Sequence, residues 1–446
     1  MTLRQRSRVA AAICAVSLLA MTACTAVEEG PAASGSPDGG DGTITTGQGV
    51  TSEPCPDSVN ADNGCIYLGV LSDLTEGPFA ALAVPITDGQ RAFWKKVNEE
   101  GGIGGYDIDI DTYTRDTKYQ PAEHAAQYEQ IAGNIAAIAQ TLGTVNTESV
   151  LDDMIDRNLV AVPTTWWSGF AFDETDDGIV LETGYSYCTE AIVGLDWFAG
   201  AHGEPAKVQA VGYPGDYGGD SAEGVRRWAE INGATALDAI GTGPNQVVGN
   251  QDAVVAAVLA GAPDVVVLAI GPAETAEIVG KLAASGYKGR FLGALPTWNG
   301  ALLKSAAAPA LTALYNHLSP YQNWDGESDG MTELKDSLGG EPPVNAGYII
   351  GWSIGYPLKA ALEAAVASGD VSPEGIRAVI DGLEVTFDGL APDHVYGGEA
   401  QANAQQTVNV SQPDAEIPLG LKTIDAEFSG PSFDQTDYSA ACVATN

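Results

Sequence analysis

From Cys65 onward the apolar positions fall in short runs separated by longer amphipathic stretches. "IYLGVLS" at 66–72 is a continuous apolar run of strand length, and "YDIDIDTYT" at 106–114 alternates at period two. "AAIAQTLG" (136–143) and "LVAVPTT" (159–165) repeat the short run. Between them the spacing is helical, first through "ITDGQRAFWKKVNEE", then over 121–135 and 147–157. Period two marks a half-buried strand, and period 3.6 an amphipathic helix. The alternation restarts at "KVQAVGYPG" (207–215) and continues through "DVVVLAIG" (264–271) and "GRFLGALP" (289–296), with helices expected near 346–368 and 374–383. Strands spaced by helices build parallel sheets with right-handed crossovers. Two such runs, divided near 180–190, predict an α/β protein of two doubly wound parallel-sheet lobes.

A chain of 446 residues is too long for one hydrophobic core, which agrees with two lobes. The late helices are expected to return to the first lobe. Lobe one is then 65–185 with 317–390, and lobe two 186–316 with 391–446, joined by a multi-strand hinge. Ligands of open α/β sheets bind beyond the carboxyl ends of strands. The loops that matter are therefore those after Leu71, Leu142, Pro163, Tyr213, Ile270 and Leu295.

The first 54 residues follow another pattern. Arg4, Arg6 and Arg8 precede an apolar run from Val9 to Ala20, shorter than the roughly 20 residues a membrane helix requires. A basic start, a short apolar stretch and small residues describe a secretory signal over 1–23. Residues 24–54, with "PAASGSPDGGDG" at 31–42, are too polar to bury a core and are expected to form a disordered tether.

Charge and cysteines narrow the function. The net charge is −39, and removing the signal takes away three arginines and no acid. So acidic a chain excludes nucleic acid, whose phosphates require clustered Lys and Arg. After Cys24, an even set of four cysteines in an exported chain favours disulfides. Cys55 and Cys65 bracket a short polar loop, leaving Cys188 to join Cys442. No CxxC spacing supports a metal site. "DIDID" (107–111) and "NWDGESDG" (323–330) lack the twelve-residue calcium loop with its final glutamate. "GGIGG" (101–105) follows a helix and precedes a strand, the reverse of a dinucleotide fingerprint, and reads as a turn. His124, His202, His317 and His394 are scattered, without HExxH or a nucleophile elbow. No enzymatic chemistry, cofactor or metal is expected.

Four motifs carry a resemblance. "SDLTEGPFA" after the first strand, "VNEEGGIGG" before the second, "TLGTVNTESV" in lobe one and "GYPGDYGGD" opening lobe two resemble type I periplasmic binding proteins of the branched-chain amino acid-binding class, over about 65–395. "MTAC" (21–24) resembles the lipobox of bacterial lipoproteins, with Met21 where leucine is usual. The resemblance implies a lipid on Cys24, an extracytoplasmic receptor anchored to the outer face of the cell membrane, ABC permease partners, and a small-molecule ligand held by a monomer. A receptor that signals through a membrane partner without transport is the alternative.

The resemblance also implies site residues. Gly143 and Thr144 would hold a ligand carboxylate, Thr164, Thr165 and Trp166 would add polar groups and a wall, and Tyr217 would close from lobe two. Where the class pairs the ligand's ammonium with an acid, this chain has Leu295; where it has pocket tyrosines, this chain has Leu82 and Gly271. A buried ammonium without a counter-charge is costly. The expected ligand is thus an organic acid, amide or apolar or aromatic solute rather than a free α-amino acid. Phe79 and Trp298 are expected as apolar walls and Tyr185 as a further candidate. For Trp167 and Tyr187, cleft and hinge both stay open.

Overall fold

A computed structural model describes residues 44–444. The first sheet is built around β2 (Gly64–Ser72), whose side chains are almost all buried. It runs parallel to β3 (Tyr106–Asp109), β4 (Thr114–Asp116) and β5 (Ala137–Leu142), and β5 runs parallel to β6 (Ala161–Thr164). Between these strands lie α1 (Ala80–Glu99), α2 (Pro121–Ile131) and the short α3 (Thr144–Glu148). The second sheet has β7 (Lys207–Gly212), β8 (Thr235–Ala236), β9 (Ile240–Gly241), β10 (Val265–Ala269), β11 (Arg290–Gly293) and β12 (Tyr315–Ser319) running parallel. Beyond a small hairpin of β13 (Glu384–Val385) and β14 (His394–Val395), β15 (Val408–Pro413) and β16 (Leu421–Phe428) extend the second sheet antiparallel from β12. The molecule is therefore two parallel-sheet α/β lobes.

Some elements differ from the sequence reading in extent. The alternating run 106–114 is two strands, because Thr112 donates its N–H to Asp109 Oδ1 and Thr114 its hydroxyl to the Ile110 carbonyl, turning the chain between them. The expected helix 147–157 is two pieces, Thr144–Glu148 and Leu151–Asp156. The expected tether ends early. Thr45 exchanges backbone hydrogen bonds with Gly369 and Val371, Gln48 donates to the carbonyls of Ala132 and Ile135, and β1 (Val50–Thr51) pairs antiparallel with β2. Residues 44–54 are thus docked on the first lobe; Gly49, at φ +75°, passes so close that a Cβ would lie 2.0 Å from the Ala136 nitrogen.

The chain does return to the first lobe. Helix Gly347–Ser353 packs on α1 at a distance that small residues allow: a Cβ on Gly351 would meet the Ile86 carbonyl at 1.9 Å. Gln90 Nε2 donates to the Gly351 carbonyl at 2.7 Å, and Asn345 Nδ2 to that of Ala81 at 2.8 Å. The return point lies slightly later than residue 317, since His317 is inside β12 of the second sheet. Likewise β14, at 394–395, pairs with β13 before the chain goes back, so the last crossing comes after residue 391.

Among the described residues, three crossovers join the lobes, near 182–187, 319–322 and 396–405. They are tied together by Thr183 and Tyr321, whose hydroxyls are 2.5 Å apart, and by Tyr396, whose hydroxyl donates to the Glu182 carbonyl at 2.9 Å. Cys55–Cys65 and Cys188–Cys442 form the expected disulfides. The second fixes the tail beside the first crossover, where Trp167 Nε1 donates to the Val443 carbonyl and the Cys442 N–H to Ser168 Oγ. The signal segment 1–23 and Cys24 lie outside the described residues.

Candidate functional site

The strand ends of the two lobes face each other across a narrow cleft, with about 30 Å³ of room for the centres of water-sized molecules. Its lobe-one wall is made by the start of α1, with Phe79, Leu82, Ala83 and Ile86, and by the ends of β5 and β6, with Leu142, Gly143, Thr164, Thr165 and Trp166. Tyr187, Tyr217, Leu295 and Pro296 face it from lobe two, and Tyr119 and Ile350 complete the lining. Among the described residues, no Asp, Glu, Lys, Arg or His is in that lining.

Much of the wall is aromatic. Phe79 packs edge-on to Tyr119 at 5.0 Å and reaches Tyr213 at 6.1 Å, while Tyr187 lies 4.5 Å from Tyr217 and 6.0 Å from Trp166. Such rings give a large apolar surface with little rotamer entropy to lose. Their positions are set from behind. Trp166 Nε1 donates to the Thr183 carbonyl, and the Tyr217 hydroxyl to the Ile270 carbonyl at 3.2 Å.

The polar end of the cleft is small. Gly143 begins α3 at φ +92°, and a Cβ there would sit 2.8 Å from the Tyr119 ring, so only glycine fits. Thr165 lines the cleft, but its hydroxyl pairs with that of Thr144 at 2.7 Å. The hydroxyl of Thr164, in contrast, is buried in the wall with no hydrogen-bond partner. Buried hydroxyls without a partner are costly, which makes this oxygen the group most ready for an occupant.

Phe79, Leu82, Gly143, Thr164, Thr165, Trp166, Tyr217 and Leu295 are thus brought together, and four expected residues are not. Thr144 stands behind Thr165 as its support. Gly271 also lies behind the wall, donating its N–H to the Tyr213 hydroxyl at 3.0 Å, with Glu274 Oε2 accepting from that hydroxyl at 2.9 Å. Tyr185 turns away from the cleft and donates to Glu190 Oε1. Trp298 stacks on Tyr315 at 5.6 Å and lines a neighbouring chamber, which shares Leu82, Leu295 and Ile350 with the cleft. Trp167 packs against Phe170 at 5.2 Å and belongs to the crossover region.

Tyr119, Ile86 and Ile350 were not visible as site residues in the sequence, because nothing in their local pattern separates them from core positions. A more telling omission is Glu190, on helix Tyr187–His202. Its Oε1 accepts the N–H of Leu295 at 3.0 Å and the Tyr185 hydroxyl at 3.1 Å. Burial pushes the carboxyl up to about 8, so it is protonated at neutral pH. It braces the Leu295 loop from behind and puts no negative charge on the cleft wall.

Over residues 66–416 the sequence matches the family described as periplasmic binding protein. No curated protein matches the sequence. Among solved structures, the chain is similar to a fatty acid ABC transporter substrate-binding protein from Thermomonospora curvata, with 22% identity over 88% of this chain and 97% of that one, TM-score 0.77. It is similar to a branched chain amino acid ABC transporter from Thermus thermophilus with bound valine, at 16% identity over 84% and 98%, TM-score 0.72. It is also similar to a solute binding protein from R. palustris in complex with 4-hydroxybenzoate, at 16% identity over 83% and 99%, TM-score 0.69.

Proposed function

Since the chain belongs to the periplasmic binding protein family, we propose that it is an extracytoplasmic receptor that captures a small solute between its lobes and delivers it to an ABC importer. The solute is an aromatic or aliphatic organic acid, or a neutral amide-like molecule. Similar receptors hold valine in one case and 4-hydroxybenzoate in another, so the choice rests on the walls of this cleft. One observation carries it: among the described residues, the Thr164 hydroxyl is buried without a partner in a largely apolar wall that has no charged side chain.

An α-amino acid would bring an ammonium into this wall, and the nearest buried acid behind Leu295 is neutral at physiological pH. A carboxylate or carbonyl asks only for donors, which Thr164 and the Gly143 backbone can supply. Aromatic and aliphatic groups would lie against Phe79, Leu82, Tyr217 and Leu295. The ligand favours the closed arrangement because it touches both lobes at once.

Mass spectrometry of small molecules released from the denatured native protein tests the ligand class. A thermal-shift screen of benzoates, aliphatic acids, leucine and valine complements it. Tight binding of leucine or valine, with the acids inert, would overturn the assignment. We further propose that Cys24 carries a lipid anchor; Cys24→Ala should release protein into the medium or leave uncleaved precursor. A correctly processed Cys24→Ala chain that stays on the membrane would remove that part of the reading.

A further inference from the structure

A second cavity lies outside the cleft, against the hinge. It offers about 90 Å³ for the centres of water-sized molecules, against about 30 Å³ in the cleft. Its walls come from the first crossover region, between Ser168 and Thr189, and from the third, between His394 and Gln405, with Tyr438 of the tail beside them. The mouth is formed by exposed residues, among them Ala171, Asp173 and Val395. Among the described residues, no lysine or arginine lines it.

The cavity presents two buried acceptors that have no partner. Glu182 lines it, and its Oε1 is buried without any partner. Gln405 lines it too; its Nε2 donates to the Pro392 carbonyl, while its Oε1 is buried and partnerless. The nearby hydroxyls are committed elsewhere, that of Tyr185 to Glu190 and that of Tyr396 to the Glu182 backbone carbonyl. Each unmet acceptor is destabilising in a dry site, so these two oxygens favour an occupant that donates hydrogen bonds. The rings of Phe170, Tyr185 and Tyr396 in the same wall favour a positive charge on that occupant.

We propose that this hinge cavity is a second binding site, which takes a small primary ammonium ion between the Glu182 carboxylate and the Gln405 amide oxygen. The surroundings attract a cation. The Asp220 carboxylate acts on Glu182 and Asp173 stands at the mouth, while Asp176, pushed up to about 8 by burial, adds little charge at neutral pH, and the nearby guanidinium of Arg377 is engaged with Asp177. The His394 imidazole, held down to about 4 by burial, adds no positive charge at neutral pH, and the phenols of Tyr185, Tyr396 and Tyr438 stay neutral.

Burial first, then the neighbouring Asp220 carboxylate, holds the Glu182 carboxyl well above its ordinary range. An ammonium ion pairs with the ionised carboxylate, so its entry competes with the proton that this shift favours on Glu182. Binding should therefore tighten as pH rises, up to the point where the free amine loses its own proton.

The probe is ¹³C-methylammonium, titrated into the full chain at constant ionic strength held with NaCl and followed by NMR. The expected result is saturable one-to-one binding, with nuclear Overhauser contacts from the probe methyl to Ile380 and Val395. Calorimetry in two buffers of different ionisation heat should report proton release. Glu182→Gln should weaken binding at least about tenfold, the worth of a charge-assisted hydrogen bond. Val395→Lys places a competing charge at the exposed mouth without disturbing the core, and should weaken it as well. Non-saturable shifts, equal binding by Glu182→Gln, or contacts only to cleft residues would each overturn the proposal and leave a water-filled cavity.

Discussion

Replacing Thr164 with valine should stabilise the empty protein and weaken its hold on solute at the same time. The Thr164 hydroxyl is buried in the cleft wall without a partner, and valine has the same shape. A buried hydroxyl without a hydrogen bond costs about 1–3 kcal/mol. Valine removes that cost, so the empty protein should gain about 1 kcal/mol or more. For a chain of this length 1 kcal/mol corresponds to a rise in melting temperature of about 1 °C. Against a carboxylate ligand the sign reverses. A hydrogen bond to a charged group is worth about 1.5–3 kcal/mol, so affinity should fall roughly tenfold to a hundredfold. Scanning calorimetry of the empty protein and titration with the solute recovered from native material provide the two readings. Thr165→Val is the control. Its hydroxyl pairs with that of Thr144 at 2.7 Å, so valine there leaves Thr144 without that partner and should destabilise by about 1 kcal/mol. If Thr164→Val lowers stability as its neighbour does, or leaves affinity untouched, the polar end of the cleft has been placed wrongly.

Three further outcomes are expected. Tyr217→Ala should cost about 2 kcal/mol or more of solute affinity by titration calorimetry, whereas Tyr217→Phe, which loses only the bond to the Ile270 carbonyl, should retain most of it. Glu190 is raised from its ordinary 4.5 to about 8 by burial, so the folded state holds this proton more tightly than the unfolded one. Its contribution is fully present below pH 4.5 and is lost as pH rises through about 8; Glu190→Gln should flatten the melting profile over that interval and melt higher at pH 9. Replacing Cys55 and Cys65 with serine opens a loop of sequence separation 10 and should cost about 2–3 kcal/mol in chemical denaturation.

The alternation of short apolar runs and helical spacings made the two sheets legible, because parallel strands buried on both faces leave a strong signal. Both disulfides were legible from cysteine number and spacing. Length was harder: Asp109 and Thr114 turn the chain inside a run whose polarity still alternates. The docking of 44–54 was hidden because it rests on backbone hydrogen bonds and on Gln48, in a stretch whose composition reads as linker. In the cleft, loop position identified which segments meet but not which way each side chain turns. Thr144 and Thr165 look equivalent in the sequence, and one supports the other. Tyr185 and Tyr187 are two residues apart at the entry to a helix, and only the second faces the cleft. Glu190 could not be found by motif, since its importance comes from a contact 105 residues away with the Leu295 N–H.

The way the lobes share the chain bears on the timing of folding. The first sheet is complete in sequence by Thr164, yet α1 is covered only when Gly347–Ser353 has been made. The second sheet lacks its antiparallel edge until β15 and β16 emerge, and the link from Cys188 needs Cys442. Neither half can settle as an independent unit while most of the polypeptide is still on the ribosome, unlike proteins whose N-terminal domain folds first. Long-range closure of this kind is slow, because loop entropy is lost before distant contacts form. A chain that completes each half only with late segments leaves both halves open through most of its synthesis, and an open polypeptide is what can be threaded through a narrow channel.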